Sequence, residues 1–539
     1  MGLFLNSRAP YETYSKLVRS PYFVDKSLLL TELIPAFDSI NCYYCITRPR
    51  RFGKTVMANM IGAFFGKTDK KDRIFDKLSI SKQKIYDIHL NKHDIIYIDF
   101  SRAPRGCGSY AQYIDRIENG MIEDLLTVYF DCGINKADSV WDALQKIYEQ
   151  TGHKFLFVLD EWDAVFHMPF ISAENQKEFL LFLKWLLKDQ PYVEFAYMTG
   201  VLPIAKYSSG SELNMFVEYD MVTSEKFSRY FGFSDEEVDG LYEIYQRETA
   251  ACRFTREELR IWYDGYYTVT GLRLYNPRSV VLALTDNQLR NYWTSSGPYD
   301  ELFYYIRHNI EDVRDDLILM ISGEGIPITI GQFSAASMEI SSREQIYSAM
   351  VVYGLLTYDN GEVLVPNKEL MDKFNELLLS RDSLGYVYDL AKKSEQMLKA
   401  TVAGETKVIE NILQTAHDTE SPVLSYNSEA ELAAVVNLCY LSARNKYRIE
   451  REDRAGKGFA DFVFYPEQKS EDCIILELKV DSTPEVAIAQ IKEKNYALCF
   501  KGKLGEKTQY TGRILAVGIS YNKKTKKHSC RVEVLEGCK

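Results

Sequence analysis

The chain has 539 residues, 46% of them hydrophobic and 26% charged, and 65 Lys and Arg against 76 Asp and Glu leave a net charge of −11. A chain this long implies about three or four domains. Its composition excludes a mainly disordered, collagen-like or coiled-coil protein, and the acidic balance excludes a uniformly basic nucleic-acid coat.

The N-terminus, MGLFLNSRAP, lacks a basic segment followed by an apolar one, and no apolar run approaches the roughly 20 residues of a membrane helix. A cytoplasmic protein without membrane contact is expected. The ten scattered cysteines then read as reduced core thiols, and Cys42 and Cys45 lack a second pair at zinc spacing.

The first 290 or so residues alternate between strand-like and helical patterns. Cys42 to Thr47, Ile95 to Phe100, Phe155 to Leu159 and Val193 to Met198 are short runs apolar on both faces, as in a parallel sheet covered by helices. Val56, Met57, Met60, Ile61, Phe64 and Phe65 recur at helical spacing after the first run. Residues from about 295 to 395 are helix-rich, with a two-stranded wing expected at GLLTYDNGEVLVP. A linker is expected at about 400 to 425, followed by a helix in EAELAAVVNLCYLSA. Strands are then expected at FADFVFY and CIILELKV, a helix at AIAQIKEKNYALCF, and a hairpin whose turn is NKKTKK. The domains implied are 1–294, 295–424 and 425–539. From residue 421 onward there are 20 basic and 16 acidic residues, so a mildly basic segment ends an acidic protein. That balance and the KKTKK tip fit either a polyanion contact or a solvated surface.

Two constellations carry chemistry. In Arg48-Pro-Arg-Arg-Phe-Gly53-Lys54-Thr55, a strand turns into a helix. Such a turn points backbone N–H groups at phosphate, and the helix N-terminus adds positive partial charge. Arg51, Phe52 and Gly53 are expected to bind phosphate, Lys54 to reach the β/γ-phosphates and Thr55 to ligate Mg²⁺. Arg48 stands where the general P-loop pattern has its first glycine. In FLFVLDEWD an acid ends a strand: Asp160 is expected to hold the metal and Glu161 to activate water. Thr199, at the end of a further strand, is expected at the γ-phosphate or the water. Arg229 and Arg278 are candidates for a charge-stabilising arginine.

The second constellation is Asp461 with Glu477 and Lys479. Glu477 and Lys479 are two apart, so they share a strand face. Two carboxylates can hold Mg²⁺ or Mn²⁺ through oxygen ligands, and a lysine offsets charge on a scissile phosphate. Glu429 can add to this group, and Gln490 and Tyr496 can brace it.

The segments YFVDKSLLLTELI, RPRRFGKT, VLDEWDAVF, MTGVLPIAK, FGFSDEEV, WYDGYY and YNPRSVV occur in the order seen in bacterial AAA-ATPase-like proteins, which the chain resembles over most of its length. In these, a P-loop domain precedes a PD-(D/E)XK nuclease-like domain. The resemblance implies an AAA/ASCE-like P-loop NTPase sheet, a helical or winged-helix-like middle region and a restriction-endonuclease-like α/β domain. It also implies a nucleotide site at Lys54, Thr55, Asp160 and Glu161 and a nuclease-type site at Asp461, Glu477 and Lys479. The expected function is an ATPase using ATP and Mg²⁺, coupled to a domain that cuts or binds DNA or RNA. An ATP-dependent switch or scaffold that binds without cleaving is the alternative. A small-molecule kinase is disfavoured by Glu161, because a kinase needs no water-activating acid there. Monomer and homo-oligomer both remain open.

Overall fold

The computed structural model describes residues 2–68, 73–204, 212–293, 310–321, 323–329, 342–379, 386–418, 429–455, 457–500 and 510–535. The linker expected at 400 to 425 lies in part outside them. The chain divides into two compact units. Unit 1 comprises Met1–Tyr305 and Pro327–Glu369, and unit 2 comprises Ile306–Ile326 and Leu370–Lys539.

Unit 1 is built on a five-stranded parallel sheet of order β2-β3-β4-β1-β5. The strands are β1 (Tyr43–Thr47), β2 (Asp94–Asp99), β3 (Phe155–Asp160), β4 (Val193–Gly200) and β5 (Val217–Tyr219). All residues of β1 and β3 are buried, which accounts for their unbroken apolar sequence. The helices Lys54–Phe65, Tyr110–Val128, Val140–Thr151 and Ala173–Leu187 connect and cover the sheet. Serine hydroxyls at positions 109, 139 and 172 accept backbone N–H groups at three of their N-termini and define where they start. The order sets β4 between β1 and β3. The turn after β1, Thr199 on β4 and Asp160 on β3 therefore lie side by side at the C-terminal edge, where open α/β sheets bind ligands.

A second core in unit 1 joins the helices Asp235–Glu248, Arg256–Tyr263 and Pro277–Asp286 through Val238, Leu241, Tyr245, Leu259, Tyr263 and Val280. Beside it runs the small ribbon β6 (Tyr266–Tyr267) and β7 (Arg273–Leu274). Three short strands follow: β8 (Ile326–Pro327), β9 (Thr357–Asp359) and β10 (Glu362–Leu364). β9 and β10 pair antiparallel as the expected wing.

Unit 2 carries the mixed sheet β11-β12-β13-β14-β15, formed by β11 (Tyr447–Ala455), β12 (Gly458–Pro466), β13 (Cys473–Val480), β14 (Ile514–Asn522) and β15 (Lys527–Leu535). Only β13 and β14 are parallel, and the helix Pro484–Glu493 between them in sequence makes the crossover. That helix and the turn Tyr496–Phe500 pack on Val463, Tyr465 and Ile475. On another side Tyr440, after the helix Glu429–Cys439, meets Phe464 at 5.1 Å. The NKKTKK turn joins β14 to β15 as expected.

Two helices before residue 425 also belong to unit 2. From Tyr386–Ala403, Thr401 bonds Tyr440 at 2.6 Å. From Thr406–Asp418, Glu410 accepts the Cys530 N–H at 3.0 Å. Met397, Ile409 and Leu413 are fully buried, and each such side chain contributes about 1.5–3 kcal/mol. A fragment of residues 386–539 should therefore melt cooperatively and at a clearly higher temperature than one of 425–539. Equal melting temperatures by circular dichroism would show that these helices add nothing.

Candidate functional site

The turn after β1 is held from several sides. Arg48, at the position of the missing glycine, is 1% exposed. Its guanidinium donates to Thr47 O at 2.8 Å and Tyr219 O at 2.7 Å and stacks 5.0 Å from the centre of the Phe231 ring. It thus ties the end of β1 to β5, a task glycine cannot do. Burial lowers its pKa to about 10. Gly53 has φ +89°, a left-handed conformation that favours glycine. Lys54 donates to Arg48 O at 2.8 Å and Pro49 O at 2.9 Å. Burial pulls its pKa down to about 8, against the charges of Asp163, Glu161 and Asp160. Phe52 is fully buried with its ring edge-on to Tyr266 at 4.9 Å. The phosphate contact expected of Phe52 is thereby limited to its backbone.

Arg51 leaves the loop in a left-handed conformation, φ +71°, and donates to Tyr292 O. The same segment is gripped by the fully buried Glu369, whose Oε1 accepts Tyr292 N–H at 2.6 Å, Trp293 N–H at 2.7 Å and the Ser279 hydroxyl at 3.1 Å. Burial pushes Glu369 up to about 7, with Arg51 opposing. An acid whose folded pKa exceeds its unfolded value adds stability at low pH and loses it as pH rises through the folded pKa. Wild type should therefore lose on the order of 3 kcal/mol between pH 4.5 and 8 that Glu369→Gln retains. Denaturant titrations of both proteins across this range would show parallel curves if Glu369 were not buried in this way.

Asp160 is 1% exposed at the end of β3. Its Oδ1 accepts the Thr199 hydroxyl at 2.5 Å, and its Oδ2 is buried without a hydrogen-bond partner. Burial raises its pKa, opposed by Thr199, Thr55 and Lys54. Glu161 follows with φ +51°, a strained conformation for a non-glycine residue. Its N–H donates to Thr199 Oγ1 at 3.3 Å. Burial and the Asp160 charge raise the Glu161 pKa, and Lys54 lowers it. The Thr199 hydroxyl thus donates to the Asp160 carboxylate and accepts the Glu161 backbone N–H, a bracing role for the residue expected at the γ-phosphate or the water.

The sequence reading missed Asp163. Its Oδ2 accepts the N–H groups of Val201 at 2.9 Å and Leu202 at 2.8 Å, fixing the loop after β4. A third acid in LDEWD was the available signal. Gly200 permits this packing, since a Cβ there would lie 2.5 Å from Trp162 and 2.9 Å from Asp163 Oδ1.

A cavity of about 720 Å³ opens here, lined by Arg51, Gly53, Lys54, Thr55 and Glu161 and also by apolar Leu17, Phe23, Val24 and Val281. Arg278 lines it and Arg229 does not. The Arg229 guanidinium lies 5.7 Å from the centre of the Tyr230 ring. Cys42 and Cys45 are buried thiols, as expected.

In unit 2 the ladder between β12 and β13 pairs Phe462 with Leu476. One step further along this antiparallel ladder sets Asp461 opposite Glu477, and opposed residues point to the same face. Asp461 Oδ2 accepts the Leu478 N–H at 2.7 Å. Glu477 is 2% exposed. Its Oε1 accepts Lys479 Nζ at 3.1 Å and the Gln490 amide, while its Oε2 is buried without a partner. Burial first, and Asp461 second, push Glu477 up to about 7 against Lys479. Burial also raises Asp461, with Glu429 adding to the rise. Tyr496 bonds Gln490 at 3.3 Å and Phe459 O at 2.7 Å. All six residues expected at this site thus interact with one another, directly or through charge. The KKTKK turn is an exposed hairpin tip.

Among the described residues, no helix is long and apolar enough to cross a membrane. A family model described as "Predicted AAA-ATPase" matches residues 11–209, and that of the PD-(D/E)XK nuclease superfamily matches residues 428–529. An uncharacterized protein encoded in the vnfD 5′ region of Azotobacter chroococcum is 25% identical over 299 residues, 53% of this chain and 53% of that protein. The chain thus spans about half the length of this curated relative. Among solved structures, the Walker-type ATPase PABY2304 of Pyrococcus abyssi is similar at 12% identity and a TM-score of 0.34, covering 65% of this chain and 94% of that one. The ORC2 protein of Aeropyrum pernix is similar at 10% identity and a TM-score of 0.30, covering 71% and 97%. Residues 11–209 are thus similar to the predicted AAA-ATPase family, and residues 428–529 to the PD-(D/E)XK nuclease superfamily.

Proposed function

We propose that unit 1 hydrolyses ATP with Mg²⁺ and that unit 2 is a divalent-metal-dependent nuclease whose cutting of DNA or RNA is controlled by that turnover. The observation that carries the first half is the grouping of Lys54, Thr55 and Glu161 on the cavity wall, with Asp160 interacting with Thr55 and Lys54 behind it. Asp160 Oδ2 is buried with no hydrogen-bond partner and has the Thr55 hydroxyl close by. An anionic oxygen left this way is costly unless a cation takes it, so the donor set fits Mg²⁺ held by Thr55 and Asp160. Lys54 then binds the β/γ-phosphates, Glu161 accepts the proton of the attacking water, and Thr199 holds both acids in place. Arg278, on the cavity wall, is the cation that offsets charge on the transferred phosphate.

The same reasoning supports the second half. Glu477 Oε2 is buried and unpartnered across from Asp461, a donor set that fits Mg²⁺ or Mn²⁺. Such an ion supplies Lewis-acid polarisation of the phosphate and an acidified water. Lys479 lies on the same strand face, able to meet phosphate charge, and Gln490 orients Glu477. The test is to incubate the full chain with labelled DNA and RNA, single- and double-stranded, with and without Mg²⁺, Mn²⁺ and ATP. Cleavage that needs both metal and ATP is expected. ATP turnover with binding but no cleavage would support the switch or scaffold reading.

A further inference from the structure

The acid pair of unit 2 has a rim that cutting a phosphodiester does not require. Phe459 stands two residues before Asp461 on β12, so the two side chains share a strand face. Phe459 is 64% exposed. Among the described residues it has no ring or cation partner. Its backbone is nevertheless pinned to the site. Tyr496 donates its hydroxyl to Phe459 O at 2.7 Å, and Gln490 bonds both that hydroxyl and Glu477. The ring is therefore indexed to Glu477 by a continuous chain of hydrogen bonds.

Two lysines flank its backbone. Lys457 donates its N–H to Lys494 O at 2.8 Å, and Lys494 Cδ lies 3.7 Å from where a Cβ on Gly458 would be. Both lysines are exposed, and neither has a carboxylate partner among the described residues. Nearby Lys492, by contrast, is paired with Glu533 at 2.5 Å. Gly458 itself lets the strand approach Tyr496, whose hydroxyl would be 3.1 Å from an added Cβ.

An exposed aromatic ring on a stretch of backbone flanked by two cations without a carboxylate partner matches the two needs of an unpaired strand: a face on which a base can stack, and positive charge for the backbone. A duplex offers only the second, because its base faces are covered by one another. We infer that this rim binds single-stranded nucleic acid, with Phe459 stacking on an unpaired base next to the cleavage position and Lys457 and Lys494 contacting the flanking phosphates. This rests on the reading that unit 2 acts on nucleic acid. The substrate class of the site is then a single strand, an overhang or a loop. The sugar is read elsewhere, since stacking and phosphate charge are common to DNA and RNA.

The test measures binding of the full chain to a fluorescein-labelled oligonucleotide of roughly 15 nucleotides, a length suited to a single-strand site. The arms are single-stranded DNA, single-stranded RNA of the same sequence and the blunt DNA duplex. EDTA is present so that no metal-dependent cleavage runs. Wild type should bind at least one single strand more tightly than the duplex. Phe459→Ala should weaken single-strand binding about tenfold and leave duplex binding unchanged. Phe459→Trp should restore it, which a merely structural role for the ring would not predict. The double variant Lys457→Ala, Lys494→Ala should weaken every arm and flatten the salt dependence. If wild type binds a single strand and Phe459→Ala binds it equally well, the inference fails and the nuclease reading stands. Tighter binding of the duplex by wild type would also overturn it. If wild type binds none of the three, the nucleic-acid reading of unit 2 fails with it, and the exposed ring is a protein contact.

Discussion

Glu161→Gln should lower ATP turnover by about 10²–10⁴-fold, the usual contribution of a positioned general base, while ATP still binds. The substitution keeps the shape and removes only proton-accepting capacity. Lys54, Thr55 and the turn amides, proposed to meet the phosphates, are untouched. Lys54→Ala should do the opposite and weaken ATP binding by about 10²-fold, because it removes the buried cation proposed to meet the anionic phosphates. The acids add a pH signature. Burial and Asp160 hold the Glu161 pKa above the ordinary carboxylate value. A base must be deprotonated, so turnover should fall on the acid side at a pH higher than an unperturbed glutamate would give. Filter binding of labelled ATP, phosphate release and a pH profile separate these effects. Wild-type turnover in Glu161→Gln would remove Glu161 from the chemistry and favour a nucleotide switch.

What could be read from the sequence follows from where each signal resides. β1 and β3 announce themselves because they are buried along their whole length, and β13 because it opens on the buried apolar run Cys473 to Leu476. β11 does not. Its sequence, YRIEREDRA, is dominated by charge and resembles a solvated loop, yet it forms the edge of the unit 2 sheet. Charged edges protect sheets from further pairing, and that protection hides the strand. β5 is missed for a related reason: it is three residues long and lies at the other sheet's edge. In the site, Lys54 and Asp160 are legible from local pattern alone. Arg48, Asp163 and Glu369 are not, because each works on backbone groups far away in sequence: Tyr219 O, the amides of Val201 and Leu202, and those of Tyr292 and Trp293. A motif lists the groups that meet the ligand; the residues that hold those groups in place follow from the fold.

Glu477→Gln and Asp461→Asn should each reduce nucleic-acid cleavage on the order of 10³-fold, the several kcal/mol that a metal-centred site supplies at tenfold per 1.36 kcal/mol. Two opposed carboxylates repel, and here burial adds to the cost, as the rise of Glu477 to about 7 records. Only part of the repulsion is met inside the protein, because Lys479 and Gln490 both bond Glu477 Oε1 and Oε2 stays without a partner. On the proposed reading a divalent cation would complete the balance, so removing either carboxylate should also lower Mn²⁺ affinity in calorimetry. The same loss of repulsion predicts a second effect of opposite sign. With one of two like charges gone, the remaining acid is easier to ionise and the folded unit is relieved of strain. Both variants should then melt higher than wild type in EDTA near neutral pH, though they cut far more slowly. Lys479→Ala should separate from them, cutting slowly while keeping Mn²⁺ affinity, since it removes a counter-charge and not a ligand. Carboxylate variants that lose neither Mn²⁺ affinity nor cleavage would show that Asp461 and Glu477 are only a buried structural pair.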